Sequence, residues 1–166
     1  VSQKKPKLDE RSIKVDTTSK VDVTMAYYDN EKLMQVVKNL VDNAVRFSPV
    51  GGVISIVIEG VSLPSLTPSA EQEDRPALSV SVIDQGAGIA DNELESIFDK
   101  LAQSSKQAAR TGEAGLGLAI CKEIIQHHNG IIEAHNNDDA GATFTFAIPV
   151  EGKLETISDT KALDQV

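Results

Sequence analysis

Three short blocks carry the residues of this chain that could do chemistry. The first runs Asn39-Leu40-Val41-Asp42-Asn43-Ala44-Val45-Arg46-Phe47. On a helix, at about 100° per residue, Asn39, Asn43 and Arg46 share one narrow stripe. A neutral amide oxygen can ligate a magnesium ion, and a guanidinium can grip a phosphate through its planar donor fork. Taken alone, such a stripe is more often a solvated polar face. The second block, Asp84-Gln85-Gly86-Ala87-Gly88-Ile89, sets a carboxylate where the apolar run Val80-Ser81-Val82-Ile83 gives way to a turn. A carboxylate there can accept a hydrogen bond from an exocyclic amine such as that of adenine. Gly86 and Gly88 would let a flat ring approach the backbone; an ordinary Asp-x-Gly turn is the plainer alternative. The third block, Gly115-Leu116-Gly117-Leu118, opens a helical pattern. Unpaired N–H groups at a helix start form an anion site, although glycines there also serve tight helix–sheet packing. Together the blocks suit a magnesium-bound nucleotide.

The bulk properties narrow the field. At 166 residues with 40% hydrophobic content, the chain can build one domain with its own core. A net charge of −9 argues against nucleic acid as a partner and leaves any phosphate to be held by local geometry. No apolar run approaches the ~20 residues that cross a bilayer, so no direct membrane contact is expected, and Val1–Glu10 is polar, unlike a signal peptide. One cysteine, Cys121, permits no internal disulfide and suits a reducing compartment; its expected place is the core. No Gly-x-x-x-x-Gly-Lys-Ser/Thr loop occurs, and no His or Cys spacing suggests zinc. His127, His128 and His135 fit a favourable position near a helix C-terminus.

The elements that must position these blocks can be read along the chain. Residues 1–11 read as a linker and 12–150 as the domain. Ile13–Asp16 and Val23–Tyr28 alternate like strands. Asp29 is a plausible N-cap for a helix reaching Phe47, with Leu33, Val37, Leu40, Ala44 and Phe47 as its apolar stripe. Val53–Glu59 and Ala77–Asp84 read as a hairpin, separated by a proline-containing segment, 61–76, expected to be a mobile insertion. Asp91–Phe98 suggests a short helix, and residues 100–114 a flexible lid. Gly115–Asn129 reads as a second long helix ended by Gly130. Ile131–His135 and Thr143–Pro149 close the sheet, and 151–166 reads as an acidic tail or a linker. Interleaved helices and strands with a hairpin predict an α+β fold. It is a two-layer α/β sandwich whose mixed, mostly antiparallel sheet of about five strands carries helices on one face.

The four ordered segments Asn39–Pro49, Asp84–Ile89, Ile97–Leu101 and Gly115–Ile120 resemble the N box, first glycine box, F box and second glycine box of sensor histidine kinase catalytic domains. His128-Asn129-Gly130 and Phe144–Pro149 also fit. That family shares its fold with gyrase-type, chaperone and mismatch-repair ATPases. The resemblance, over about residues 12–150, implies that the chain binds ATP and Mg2+ under a lid at 100–114. It places Asn43 on the metal, Asn39 near the phosphates, Arg46 on a phosphate and Phe47 beside the nucleotide. It places Asp84 on the adenine amine, with Gly86, Gly88 and Ile89 shaping the base pocket. Gly115, Leu116, Gly117 and Leu118 provide the lid hinge and phosphate contacts. The related ATPases carry a glutamate that activates water at the position of Asn39, and an amide is no general base. The resemblance therefore implies slow hydrolysis and phosphoryl transfer to a histidine on a separate dimerisation and phosphoacceptor domain, with a response regulator downstream and a cytoplasmic location. No residue of this chain is singled out as catalytic. Leu101, Glu113 and Ala142 depart from the usual pattern, so a degenerate nucleotide-sensing or docking module of the same fold is the alternative.

Overall fold

The structure, a computed structural model, describes residues 11–21, 30–65, 74–99, 116–150 and 156–162. Six strands form one sheet: β1 (Lys14–Val21), β2 (Val53–Leu63), β3 (Arg75–Ile83), β4 (Ile131–Asn136), β5 (Ala142–Pro149) and β6 (Thr156–Ala162). Their spatial order is β4-β5-β3-β2-β1-β6. Among the described residues only β1 and β2 run parallel, with Lys14 opposite Val53; the other pairings are antiparallel. Two helices, α1 (Asn30–Phe47) and α2 (Gly117–His127), pack on each other and on the sheet. The expected two-layer architecture and mixed sheet are therefore present.

The core follows from the two periodicities. On α1, Val36, Leu40 and Ala44 recur at steps of four and are at most 1% exposed. They face alternate strand residues, Ile54 on β2, Val80 and Val82 on β3, and Phe144, Phe146 and Ile148 on β5. From α2, Cys121, Ile124 and Ile125 complete the layer, and the Cys121 thiol is buried, as its sequence context suggested. Phe98 meets Phe144 edge-on, with centroids 6.2 Å apart. Phe47 departs from the expected stripe: it is 37% exposed and turns away from the core.

Several boundaries differ from the sequence reading. The segment 61–76 is not wholly an insertion. The hairpin continues through Val61–Ala77, Ser62–Pro76 and Leu63–Arg75, and Pro76 is tolerated because it sits at the end of its strand. Asp91–Phe98 is not an α-helix. Its backbone bonds span three residues, from Glu93 N to Ala90 O, Ser96 N to Glu93 O and Asp99 N to Ser96 O. The Ser96 hydroxyl also donates to the Glu93 carbonyl, the kind of local competition that disfavours continued helix. Residues 156–162, read as tail, add strand β6 to the free edge of β1. Arg11, read as the end of a linker, donates from Nη1 to the Val45 and Arg46 carbonyls at 2.7 and 3.0 Å. It thereby caps the C-terminus of α1. At the end of α2 the left-handed residue is Asn129 (φ 54) rather than Gly130. The His128 ring donates from Nδ1 to the Ile124 carbonyl at 2.8 Å, consistent with the expected helix-end role. The predicted strand Val23–Tyr28 and the lid at 100–114 lie outside the described residues.

Candidate nucleotide-binding site

The ends of α1 and β3 and the starts of β5 and α2 meet around one cleft, with about 370 Å³ of empty space that is partly open to solvent. Helix α1 contributes Asn43 and Phe47; the loop after β3 contributes Asp84, Gly88 and Ile89. Ile97, Leu118, Ala142 and Phe144 supply the remaining wall. The lining is apolar around one carboxylate and one amide, the composition expected of a ligand pocket.

Asp84 is the chemical centre of this cleft. It is only 4% exposed. Its Oδ1 accepts hydrogen bonds from the Gly86 amide at 2.8 Å and the Ala142 amide at 3.2 Å. Its own amide donates to the Ala142 carbonyl at 2.9 Å. Burial pushes the carboxyl pKa up, and the two backbone donors pull against that rise without cancelling it. Among the described residues no donor meets Oδ2. One oxygen is thus consumed by the scaffold, and the other is available to a ligand donor at the cleft.

Glycine is required beside it. Gly88 has φ +71, and a Cβ there would lie 2.8 Å from Asn136 Oδ1. Gly86 instead serves close packing, since a Cβ would stand 2.8 Å from the Phe47 carbonyl oxygen. The loop after β3 therefore lies directly against the end of α1. Gln85 ties the loop to β2, accepting from the Val53 amide at 2.8 Å.

The structure divides the predicted site residues. Asn43, Phe47, Asp84, Gly88, Ile89 and Leu118 line the cleft. Gly86 stands behind it. Asn39 donates from Nδ2 to the Gly117 carbonyl at 3.3 Å, so its amide joins α1 to the start of α2. Arg46 is exposed, its guanidinium 6.0 Å from the Phe47 ring centre. Leu116 and Gly117 form the first turn of α2, while Gly115 lies outside the described residues. That first turn has no side-chain cap and no acidic residue. Its N–H groups retain the partial positive charge that favours an anion.

Other residues were not assigned to the site from the sequence, although Ile97, Ala142 and Phe144 stood in or beside the motifs noted there. Ile97, Ala142 and Phe144 complete the pocket wall. Asn136 and Asn137, at the end of β4 and just beyond it, bind the backbone of the Asp84–Ile89 loop. Asn136 and Ile89 are 47 residues apart, and only the β3–β5–β4 pairing brings them together. The available signal was the polar Asn-Asn-Asp-Asp turn before β5.

Comparison with known proteins identifies the family and the fold. The chain belongs to the family of histidine kinase-, DNA gyrase B- and HSP90-like ATPases, whose model matches residues 28–152. Among its relatives, the sensor protein KdpD of Clostridium acetobutylicum is 37% identical over 139 residues, which are 83% of this chain and 14% of that protein. Sensor histidine kinase WalK of Bacillus subtilis is 35% identical over 128 residues, 76% of this chain and 19% of that protein. The catalytic domain of histidine kinase ThkA superposes with a TM-score of 0.69 at 27% identity, covering 90% of this chain and 88% of that one. A longer ThkA chain, in complex with the response regulator protein TrrA, gives a TM-score of 0.66 at 25% identity and covers 90% of this chain and 38% of that one. The fold and family are thus those of an ATP-binding histidine kinase catalytic domain. The chain spans less than a fifth of the length of these two curated relatives.

Proposed function

We propose that this chain binds ATP with Mg2+ in the cleft and serves a two-component sensor kinase, donating the γ-phosphoryl group to a histidine of a separate dimerisation and phosphoacceptor domain. The observation that carries the reading is Asp84. A buried carboxylate with one oxygen held by two backbone amides and the other open to an apolar slot suits the exocyclic amine of adenine.

The other roles are assigned to match. Ile89, Ile97, Leu118 and Phe144 give the base an apolar seat. Phe47 is assigned to the edge of the base, and Arg46, on the same turn of α1, to a phosphate. Gly88 shapes the base pocket directly, and Gly86 supports it by letting the loop pack against the end of α1. Gly115, Leu116 and Gly117 lead into the uncapped start of α2, which holds phosphate oxygens through its N–H groups. Among the described residues no group of three acidic, histidine or cysteine side chains could hold a metal by itself. That fits magnesium, which takes few protein ligands and keeps phosphates and waters around it; the Asn43 amide oxygen, at the cleft, is the donor we assign to it. Bound magnesium would neutralise charge on the phosphates during transfer.

The carboxylate that lines the cleft, Asp84, is assigned to the base rather than to water. Asn39 carries an amide engaged by the Gly117 carbonyl, and an amide takes no proton. Hydrolysis should therefore be slow, and transfer should depend on positioning and charge stabilisation, with the nucleophile supplied by the acceptor domain. No helix among the described residues is long and apolar enough to cross a membrane. We place this domain in the cytoplasm, where ATP and a response regulator would both be at hand. The test is phosphotransfer in trans: the chain, [γ-32P]ATP, magnesium and an isolated histidine acceptor domain. Acid-labile, base-stable label on the acceptor supports the proposal. Nucleotide binding without transfer, even in the intact kinase, would instead favour a degenerate sensing module.

A further inference from the structure

We propose that Asn136 and Asn137 are positioning residues for base recognition, acting through the backbone of the loop that carries Asp84. The proposal rests on the nucleotide reading of the cleft and adds residues that do not themselves line it.

The loop 84–89 contains two glycines and would, unrestrained, sample many backbone conformations. It is held at both ends from outside the cleft. At the far end, Asn136 Oδ1 accepts from the Ile89 amide at 2.7 Å while Nδ2 donates to the Ile89 carbonyl, also at 2.7 Å. This planar pair imitates one rung of a sheet and restrains the Ile89 backbone. Both amide atoms are committed, so the side-chain orientation is fixed by its partners. The space for it exists because Gly88 has no Cβ. At the near end, Asn137 Nδ2 donates to the Asp84 carbonyl at 2.9 Å. The Asn137 amide is itself fixed, its Oδ1 accepting from the Thr143 hydroxyl at 2.6 Å and its Nδ2 reaching the Ala140 carbonyl at 3.1 Å. The spacing between Asp84 and the Ile89 wall is thus restrained at both ends of the loop by two asparagines, one at the end of β4 and one just beyond it. A base that bonds to one and packs on the other needs that spacing fixed before it arrives.

The experiment uses two substitutions in this chain. Asn136→Ala removes both bonds. Asn136→Asp keeps the size and one acceptor but sets an oxygen against the Ile89 carbonyl. Amide hydrogen exchange at Ile89 and at α1 is read together with the Kd of ADP and of adenosine. We expect Ile89 exchange to accelerate about tenfold or more in both variants while α1 stays protected. We also expect the Kd of both ligands to rise by the same factor, about tenfold, because the loop serves the base end. Unchanged Ile89 protection overturns the clamp. Lost protection with unchanged affinity, or an effect on ADP that spares adenosine, overturns the positioning role. A wild-type chain that binds neither ligand overturns the nucleotide reading itself, which is a distinguishable result.

Discussion

Replacing Asp84 by asparagine separates binding from folding in a way few substitutions do. The amide keeps the volume, and its oxygen can still accept from the Gly86 and Ala142 amides now bonded to Oδ1. What changes is the cleft-facing atom, from a charged acceptor to an NH2 donor. A hydrogen bond to a charged group contributes about 1.5–3 kcal/mol, so its loss weakens ATP or ADP binding by roughly 10- to 150-fold. Two donors facing each other push the effect to the upper end. The fold responds in the opposite direction. Burial holds the folded pKa of Asp84 above the ordinary value for an aspartate. Protonation therefore stabilises the folded state relative to the unfolded one. That contribution is full below the unfolded pKa and is lost as pH rises through the folded pKa. At neutral pH the wild type carries a buried carboxylate at a cost that the neutral amide of Asp84→Asn avoids. Calorimetric titration with Mg-ADP, paired with thermal melts at neutral pH, should show lost affinity with Tm unchanged or raised. In the wild type, affinity should also fall as pH drops through the raised pKa, and this dependence should vanish in the variant. Retained affinity would contradict base recognition by Asp84, and a collapse of Tm would contradict the cost assigned to its buried charge.

Three further outcomes follow from the same geometry. Asn43→Ala should weaken Mg-ADP binding about 10- to 100-fold, the order of a lost ligand or charged hydrogen bond; repeating the titration in EDTA should shrink the gap between variant and wild type. Gly141→Ala should lower stability by about 1–3 kcal/mol or more in urea melts, because φ is +89 there and a Cβ would press on the Asp84 carbonyl. Arg11→Ala should cost about 1 kcal/mol and accelerate amide exchange in the last turn of α1, since two of its carbonyls lose their donor.

The two long helices and the β2–β3 hairpin were legible because apolar periodicity is strong there. Val36, Leu40 and Ala44 on α1 and alternate residues on β3 and β5 mark the buried face directly. Asp84, Asn43 and the glycines were legible as types with chemical reach. Their support was not. Asn136 acts on a residue 47 positions away, and Arg11 reaches carbonyls 34 and 35 positions away. No local pattern encodes such pairings. The turns at 90–99 read as helix because Leu94, Ile97 and Phe98 have helical spacing, yet Ser96 and the acidic side chains favour isolated turns. Strand β6 was illegible because its polar sequence, Thr156–Ala162, gains its place only from the open edge of β1.

If one cleft seats a purine at Asp84 and a chelated triphosphate toward Asn43 and the start of α2, a crystal structure of this chain with a non-hydrolysable ATP analogue and magnesium will show both. The adenine amine is expected within about 3 Å of Asp84 Oδ2, and the metal on the Asn43 amide oxygen. A nucleotide bound elsewhere, or in this cleft with its base away from Asp84, would contradict it.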